Sequence, residues 1–151
     1  MTQLFQATEY LHLNNICHRD LKPDNIMISK APLNQTGNDS IQIKLIDFIV
    51  AFVVDPKSQK IQGATVLREW SAPETRRSNC YDFKIDCWTL GCVMYLICTG
   101  DQPFEAEDRL TMQINFKKKF RDYSMSQRFP QMVNFIDRLI RVDPDERMSA
   151  K

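Results

Sequence analysis

The chain has 151 residues, of which 43% are hydrophobic and 26% charged, a composition typical of one soluble globular domain. Its formal net charge of +1 provides no strong overall field, so charge predicts neither nucleic acid nor a membrane as a partner. Five cysteines form an odd count without a C-x-x-C pair, which indicates reduced thiols. We therefore predict a cytoplasmic protein, with the nucleus as the alternative location.

The first predicted element is a helix over residues 2–14. Apolar residues recur there at helical spacing, at Leu4, Ala7, Tyr10 and Leu11. The stretch that follows, ICHRDLKPDN at 16–25, is dense in polar and charged groups. No packed element could hold so many polar side chains, so we predict a functional loop.

Two strands, residues 26–28 and 41–48, are predicted to pair as a hairpin across a polar connection. The second strand runs into an apolar stretch, residues 45–54, in which Asp47 is the one charged residue. A buried carboxylate without a partner would be strongly destabilising. We therefore expect Asp47 at the end of a buried strand, held by a partner or a metal.

The middle of the chain is predicted to be a long loop followed by a buried helix. Proline and glycine interrupt residues 50–77, which favours irregular structure. Residues 86–99 are apolar on all sides, and this pattern predicts a helix buried all round that ends at Gly100.

The last part of the chain is predicted to be helical. A helix is expected to begin at Pro103, with Leu110 and Ile114 on one face. A final amphipathic helix is predicted over residues 131–142, stopped by Pro144. The predicted fold class is mainly α with a small β-hairpin.

Residues 18–25 read His-Arg-Asp-Leu-Lys-Pro-Asp-Asn, which resembles the catalytic loop H-R-D-L-K-x-x-N of the protein kinase family. Further landmarks of that family follow in order: Asp47-Phe48, Ala72-Pro73-Glu74, DCWTLG at 86–91, Pro103-Phe104 and DPDER at 143–147. The resemblance covers nearly the whole chain, and it implies one partial kinase domain over residues 1–151. It implies the large C-terminal lobe (C-lobe) of a kinase fold, from the helix before the catalytic loop to the penultimate helix. The activation segment would span residues 47–74.

The resemblance assigns four residues to phosphoryl transfer from ATP to a protein serine or threonine. Asp20 would orient the acceptor hydroxyl or take its proton, and Lys22 would neutralise the migrating phosphoryl group. Asn25 and Asp47 would hold Mg²⁺, a hard ion that prefers oxygen ligands. In the family, a lysine at the position of Lys22 favours serine/threonine specificity.

Other matching residues are expected to support the site. His18 resembles a structural histidine of the family, Glu74 and Arg147 a buried ion pair, and Trp88 a core residue. By the same resemblance, Asp86 is expected to accept backbone N–H groups of the catalytic loop.

Arg19 precedes Asp20 and in the family marks kinases that are controlled by phosphorylation of the activation segment. Thr65 is the best-placed acceptor for an upstream kinase, and Ser58 and Ser71 are weaker candidates. We hypothesise that phosphorylated Thr65 pairs with Arg19 and orders the segment.

The sequence departs from the family pattern at several places. Only four glycines are present, so no G-x-G-x-x-G motif exists, and Lys44 is on the wrong strand to replace the family's nucleotide-binding lysine. Ile49 stands in place of the glycine after Asp-Phe and should restrict the local backbone. Leu67 occupies a position where many relatives carry a hydroxyl residue, and the chain stops at Lys151 before the family's last helix.

Two functions are therefore compatible with the sequence. The chain is either part of a serine/threonine kinase that is inactive or very weak without a small N-terminal lobe, or a pseudokinase that docks proteins without phosphoryl transfer. The four site residues favour the first function, whereas Ile49 and the missing lobe motifs favour the second. An unrelated helical binding domain is the remaining class.

Overall fold

The computed structural model describes residues 1–29, 42–63, 70–104, 127 and 129–150. This part of the chain contains four α-helices, one 3₁₀ turn and six short strands. The helices are α1 (Thr2–Leu13), α2 (Glu74–Arg77), α3 (Lys84–Thr99) and α4 (Pro130–Leu139), and the 3₁₀ turn is Pro23–Asn25. The strands are β1 (Ile16–Cys17), β2 (Ile26–Ser29), β3 (Gln42–Leu45), β4 (Phe52–Val53), β5 (Ile61–Gln62) and β6 (Cys80–Tyr81).

The described strands form three antiparallel pairs: β1 with β4, β2 with β3, and β5 with β6. The β2–β3 pair confirms the predicted hairpin, although β3 ends at Leu45 rather than at residue 48. The prediction of one long loop over residues 50–77 was wrong, because β4, β5 and α2 lie within it. Two-residue strands are too short to produce an alternating pattern in the sequence. The described fold is therefore α+β, with three small sheets rather than one hairpin.

The predicted helices are present with shifted ends. In α1, Leu4 and Leu11 are buried as expected, but Tyr10 is 66% exposed, so its assignment to the buried face was wrong. The helix α3 begins two residues before the predicted start, and α4 ends at Leu139, three residues before the predicted end.

Most of the predicted helix after Pro103 lies outside the described residues. Pro103 and Phe104 are in a bend rather than a helix. Leu110 and Ile114 lie outside the described residues. The ring of Phe104 stacks on Trp88, with 5.3 Å between the centroids, so this bend covers the core.

The helix α3 is the centre of the core, and its residues 85–95 are all buried. A Cβ atom at Gly91 would lie 2.6 Å from Ile140 Cγ1 and 2.8 Å from Leu139 Cβ, so only glycine permits this approach of the end of α4. Gly100 ends α3 with φ 77°, and its N–H donates to Leu96 O at 2.8 Å. Close packing at Gly91 therefore fixes the middle of α3, and the hydrogen bond of Gly100 fixes its end.

Two further observations concern the cysteines and the length of the helices. All five cysteines are unpaired, as the sequence predicted. Within the described residues, no helix has the length and apolarity needed to cross a membrane.

Candidate active site

Asp86, near the start of α3, holds the loop of residues 18–25 in place. Its Oδ2 accepts the backbone N–H of His18 at 2.8 Å, and its Oδ1 accepts that of Arg19 at 2.9 Å. The predicted contact between Asp86 and the loop backbone is therefore present. Asp86 is 1% exposed and belongs to the buried part of α3. Its hydrogen bonds therefore attach the 18–25 loop to the core.

Two partners of Asp86 were not predicted. His12 Nε2 lies 2.9 Å from Asp86 Oδ2, and the Cys17 thiol donates to the same oxygen at 3.4 Å. Burial of Asp86 opposes its ionisation, but the hydrogen bond and charge of His12 and the two backbone N–H groups outweigh it and hold its pKa below the usual value. A lone histidine on a helix gives no sequence signal for this role.

Asp20, Lys22 and Asn25 come together as predicted. Lys22 Nζ lies 3.0 Å from Asp20 Oδ2, and Asn25 Nδ2 donates to that same oxygen at 3.1 Å and to Asp20 O at 2.8 Å. Asp20 and Asn25 are buried, and the Lys22 side chain is 16% exposed. Two donors on one carboxylate oxygen fix the orientation of the Asp20 side chain.

Backbone hydrogen bonds join the end of β3 to this loop. The N–H of Ile46 donates to Asn25 O at 3.0 Å, and Ile46 O lies 3.1 Å from His18 Nε2. The other ring nitrogen of His18, Nδ1, accepts the N–H of Asp20 at 3.3 Å. His18 is completely buried and therefore has the structural role that the sequence predicted. These hydrogen bonds hold Ile46, the residue before Asp47, against the 18–25 loop.

Asp47 itself differs from the prediction. It lies two residues beyond the end of β3, is exposed, and has φ 63°, so it does not end a buried strand. Its Oδ1 lies 3.4 Å from the N–H of Ile49. Arg19 also has a positive φ, 66°. Left-handed backbone costs a non-glycine residue about 1–3 kcal/mol and tends to occur at functional sites.

The apolar stretch around Asp47 is not a buried strand either. Ile49 is 90% exposed, Val53 73% and Phe48 44%. Ile49 is absent from the residues with positive φ, so the backbone accommodates its branched side chain in this conformation. The left-handed residue is Asp47, which tolerates this conformation better than a β-branched residue would.

Arg19 connects the loop to the segment after Asp47. Its Nε donates to Val50 O, its Nη1 donates to Tyr81 Oη at 3.1 Å, and its guanidinium carbon lies 5.4 Å from the centre of the Phe52 ring. Thr65 and Leu67 lie outside the described residues, so pairing of phosphorylated Thr65 with Arg19 stays a prediction.

Glu74 and Arg147 form the predicted ion pair. Nη1 and Nη2 of Arg147 lie 2.5 and 2.9 Å from the two carboxylate oxygens of Glu74. The Arg147 side chain is completely buried and lies 5.1 Å above the Trp88 ring. This bidentate pair ties the end of residues 47–74 to the core.

The donor set beside Asp20 suits a magnesium ion. Asn25 uses its Nδ2 for Asp20, which turns its amide oxygen away from that residue, and Asp47 offers an exposed carboxylate. Among the described residues, no group of three or more histidine, cysteine or acidic side chains could form a metal cage. Mg²⁺ is commonly bound by one or two carboxylates together with substrate phosphates, so a site with few protein ligands fits this ion.

Comparison with known proteins identifies the family. The family described as Protein kinase domain matches residues 1–151, the full length of the chain. The chain belongs to the protein kinase domain family. The match agrees with the order in which the loop, Asp47, the Ala72–Glu74 motif and α3 follow one another.

Several curated relatives show the same membership. The chain is 34% identical over 154 residues to "Aurora kinase" of Eremothecium gossypii, a match that covers 99% of the chain and 38% of the relative. It is 38% identical over 137 residues to "Sperm motility kinase 2B" of Mus musculus, covering 89% and 26%. It is 30% identical over 153 residues to "Calcium-dependent protein kinase 3" of Plasmodium yoelii yoelii, covering 99% and 27%. The chain thus spans well under half the length of these kinases.

Proposed function

We propose that the chain is the C-lobe of a serine/threonine protein kinase, which transfers the γ-phosphoryl group of ATP to a protein hydroxyl when a small lobe is present. The observation that carries this proposal is the convergence of Lys22 Nζ and Asn25 Nδ2 on one oxygen of Asp20. A decayed site would not need these three side chains in contact. The isolated chain is expected to be inactive or very weak, and its location is proposed to be cytoplasmic or nuclear.

Each residue would have a distinct role in the transfer. Asp20 would hold the substrate hydroxyl in line or take its proton, since its carboxylate is fixed by two donors. Lys22, next to Asp20, would balance negative charge on the transferred group. Asn25 and Asp47 would bind Mg²⁺, which when bound neutralises charge on the nucleotide phosphates. The relatives named as kinases support this assignment through their family.

An in-frame fusion tests the proposal. The small lobe of the Eremothecium gossypii relative is joined before Met1, and incorporation of labelled phosphate into a serine-containing protein is measured with Mg²⁺ and ATP. Asp20→Asn is expected to lower the rate about 10²–10⁴-fold, as for loss of a general base. Asp24→Asn, which changes an exposed acid in the same loop, should leave the rate unchanged. A rate that survives Asp20→Asn contradicts the proposal.

The alternative function, a docking module without phosphoryl transfer, is favoured by the exposure of Ile49 and Val53. Apolar side chains this exposed beside a catalytic loop suit contact with another protein. In the same fusion, Ile49→Gly distinguishes the two functions. If the original fusion is inactive and Ile49→Gly restores transfer, Ile49 has removed the activity and the docking function is the better description. Equal activity of the two fusions supports the kinase.

A further inference from the structure

Arg19 lies at a point where three parts of the chain meet. It lies two residues after β1, its Nε donates to Val50 O just before β4, and its Nη1 donates to Tyr81 Oη in β6 at 3.1 Å. Its guanidinium carbon also lies 5.4 Å from the centre of the Phe52 ring. A guanidinium is planar and its donors have fixed directions, so partners on two of its nitrogens fix its orientation. Arg19 therefore joins the catalytic loop to residues 50–54 and to β6.

Tyr81 is the partner of Arg19 that the core holds in place. It pairs with Ile61 across β5 and β6, is 3% exposed, and packs in the same core cluster as Trp88. A buried tyrosine needs a partner for its hydroxyl, whereas phenylalanine would fill the same core position without one. Packing therefore explains the ring of Tyr81 but not its hydroxyl.

Residues 50–54 are held by a small set of described contacts. The β1–β4 pair has two residues on each strand, and a two-stranded pair of this kind is marginally stable by itself. At the far end of the stretch, Val54 is 1% exposed, and its N–H donates to Asn15 O at 2.7 Å. At the near end, Arg19 supplies a hydrogen bond from the catalytic loop to Val50 O. Loss of that hydrogen bond would leave the near end less firmly held.

We propose that Tyr81 is a positioning residue, whose hydroxyl directs Arg19 onto Val50 O and thereby orders residues 50–54 of the activation segment. Without this hydroxyl, Nη1 would lose a charge-assisted hydrogen bond, and the guanidinium could turn away from Val50. The contacts that carry the ordering all lie within the chain, so the ordering does not require a phosphate on Thr65. It can be measured without phosphoryl transfer, and only its consequence for activity rests on the proposed function.

The proposal narrows the expected role of phosphorylation at Thr65. An arginine side chain has five N–H donors, and Arg19 uses two of them within the described residues. The other donors could still bind a phosphate, which would then add to an arrangement that Tyr81 already maintains. Phosphorylation would therefore strengthen the hold on the segment rather than create it.

Amide hydrogen exchange in the isotope-labelled chain tests the role of the Tyr81 hydroxyl. The N–H of Ala51 donates to Phe48 O at 3.0 Å and, with that of Val54, reports on the order of the stretch. Tyr81→Phe removes only the hydroxyl and is expected to speed exchange at both amides about tenfold, the effect of losing one charge-assisted hydrogen bond. Tyr10→Phe, which removes the same hydroxyl from a side chain that is 66% exposed, should leave both rates unchanged. Equal rates in the two variants would overturn the proposal.

The amide of Gly63 separates positioning from a loss of packing around Tyr81. It donates to Asn79 O at 2.8 Å, next to the β5–β6 pair that contains Tyr81 and away from the contacts of Arg19. In Tyr81→Phe we expect the exchange rate at Gly63 to stay unchanged while that at Ala51 rises. Equal acceleration at the two amides would show a general loosening of the core and would refute the positioning role.

The link through Arg19 is tested with its own side-chain resonance and with a double variant. Exchange of the Arg19 Nε–H with water is expected to quicken in Tyr81→Phe, and an unchanged rate would contradict the proposal. Arg19→Lys keeps the charge but loses the planar set of donors. Adding Tyr81→Phe to Arg19→Lys should have little further effect on Ala51, because the two residues act through one path. Additive effects would mean that Tyr81 acts without Arg19 and would likewise refute the proposal.

Phosphatase treatment of the chain tests whether a phosphate is needed. Exchange at Ala51 and Val54 should be the same before and after treatment, with mass spectrometry verifying that the treated chain carries no phosphate. Exchange that becomes as fast after treatment as in Tyr81→Phe would assign the ordering to a phosphate and overturn the proposal. These measurements are independent of the Asp20→Asn fusion assay, so the positioning role and the proposed function can fail separately.

Discussion

The two carboxylates of the candidate site, Asp20 and Asp47, are held in different ways. Asp20 is 7% exposed, and two backbone N–H groups of its loop are hydrogen-bonded to Asp86 on the buried helix α3. Asp47 is exposed, and its neighbours contact the 18–25 loop through the backbone hydrogen bonds of Ile46, the ring of Phe48 at 4.7 Å from that of His18, and the hydrogen bond from Arg19 Nε to Val50 O. One half of the site is therefore attached to the buried helix α3, and the other half is held by contacts with the 18–25 loop, next to exposed apolar side chains.

The largest expected effect comes from breaking the support of the first half. Both carboxylate oxygens of Asp86 accept N–H donors. In Asp86→Asn one of these oxygens becomes an N–H₂ group. In either orientation of the amide, this group faces a donor and loses the hydrogen bond. Loss of one partner of a buried pair costs about 3–5 kcal/mol, and we expect a decrease of this size in the free energy of unfolding. Urea denaturation followed by circular dichroism measures it.

Asp145→Asn is the control for this variant, because Asp145 is exposed. Its effect should stay within about 0.5 kcal/mol. If the two variants unfold at the same urea concentration, the loop does not depend on Asp86, and the contrast between the halves of the site disappears.

The charge of Asp86 also predicts a dependence on pH. Its pKa is lower in the folded chain than its ordinary value of 3.8, so the folded state binds the proton less readily than the unfolded state. The stabilisation is therefore complete well above that value and decreases as the pH falls through the folded-state pKa. The free energy of unfolding, measured as the pH is lowered from about 6 to below 3.8, should decrease more steeply in the parent chain than in Asp86→Asn. Parallel curves would contradict this assignment.

A smaller effect is expected from Gly91→Ala, which disturbs α3 without touching the loop. The added methyl would meet Ile140 and Leu139 well inside normal contact distance. Overpacking of this kind costs about 1–3 kcal/mol. Thermal unfolding should show the loss, and Ala7→Gly in the half-buried part of α1 gives a substitution of equal size for comparison. An unchanged midpoint for Gly91→Ala would mean that α3 and α4 can move apart easily.

The two halves of the site also differ in how well they could be predicted from the sequence. The 18–25 loop was predictable because its residues are contiguous and their chemistry is specific. The hydrogen bonds of Asp86 to the loop backbone were expected from the resemblance, but His12 and Cys17 were not. They lie 74 and 69 residues from Asp86 along the chain, and neither has a local pattern.

The surroundings of Asp47 were predicted incorrectly for a physical reason. An apolar run indicates burial only if another element covers it, and hydrophobicity alone does not reveal whether one does. The described structure leaves Phe48, Ile49 and Val53 with much of their surface exposed. The left-handed backbone at Asp47 could not be read from the sequence, since aspartate adopts several conformations.

The smallest expected effect is at Ile49, where the second half of the site can be tested directly. Ile49→Ser removes an apolar side chain that is 90% exposed, so the free energy of unfolding should change by no more than about 0.5 kcal/mol. Ile61→Ser makes the same replacement at a completely buried site and should cost at least about 2 kcal/mol through the lost packing and the buried hydroxyl. Ile49→Ser should also reduce self-association in light scattering, because it removes part of an exposed apolar surface. If Ile49→Ser destabilises the chain as much as Ile61→Ser does, the side chain is covered in solution. The segment after Asp47 would then be supported by packing like the 18–25 loop.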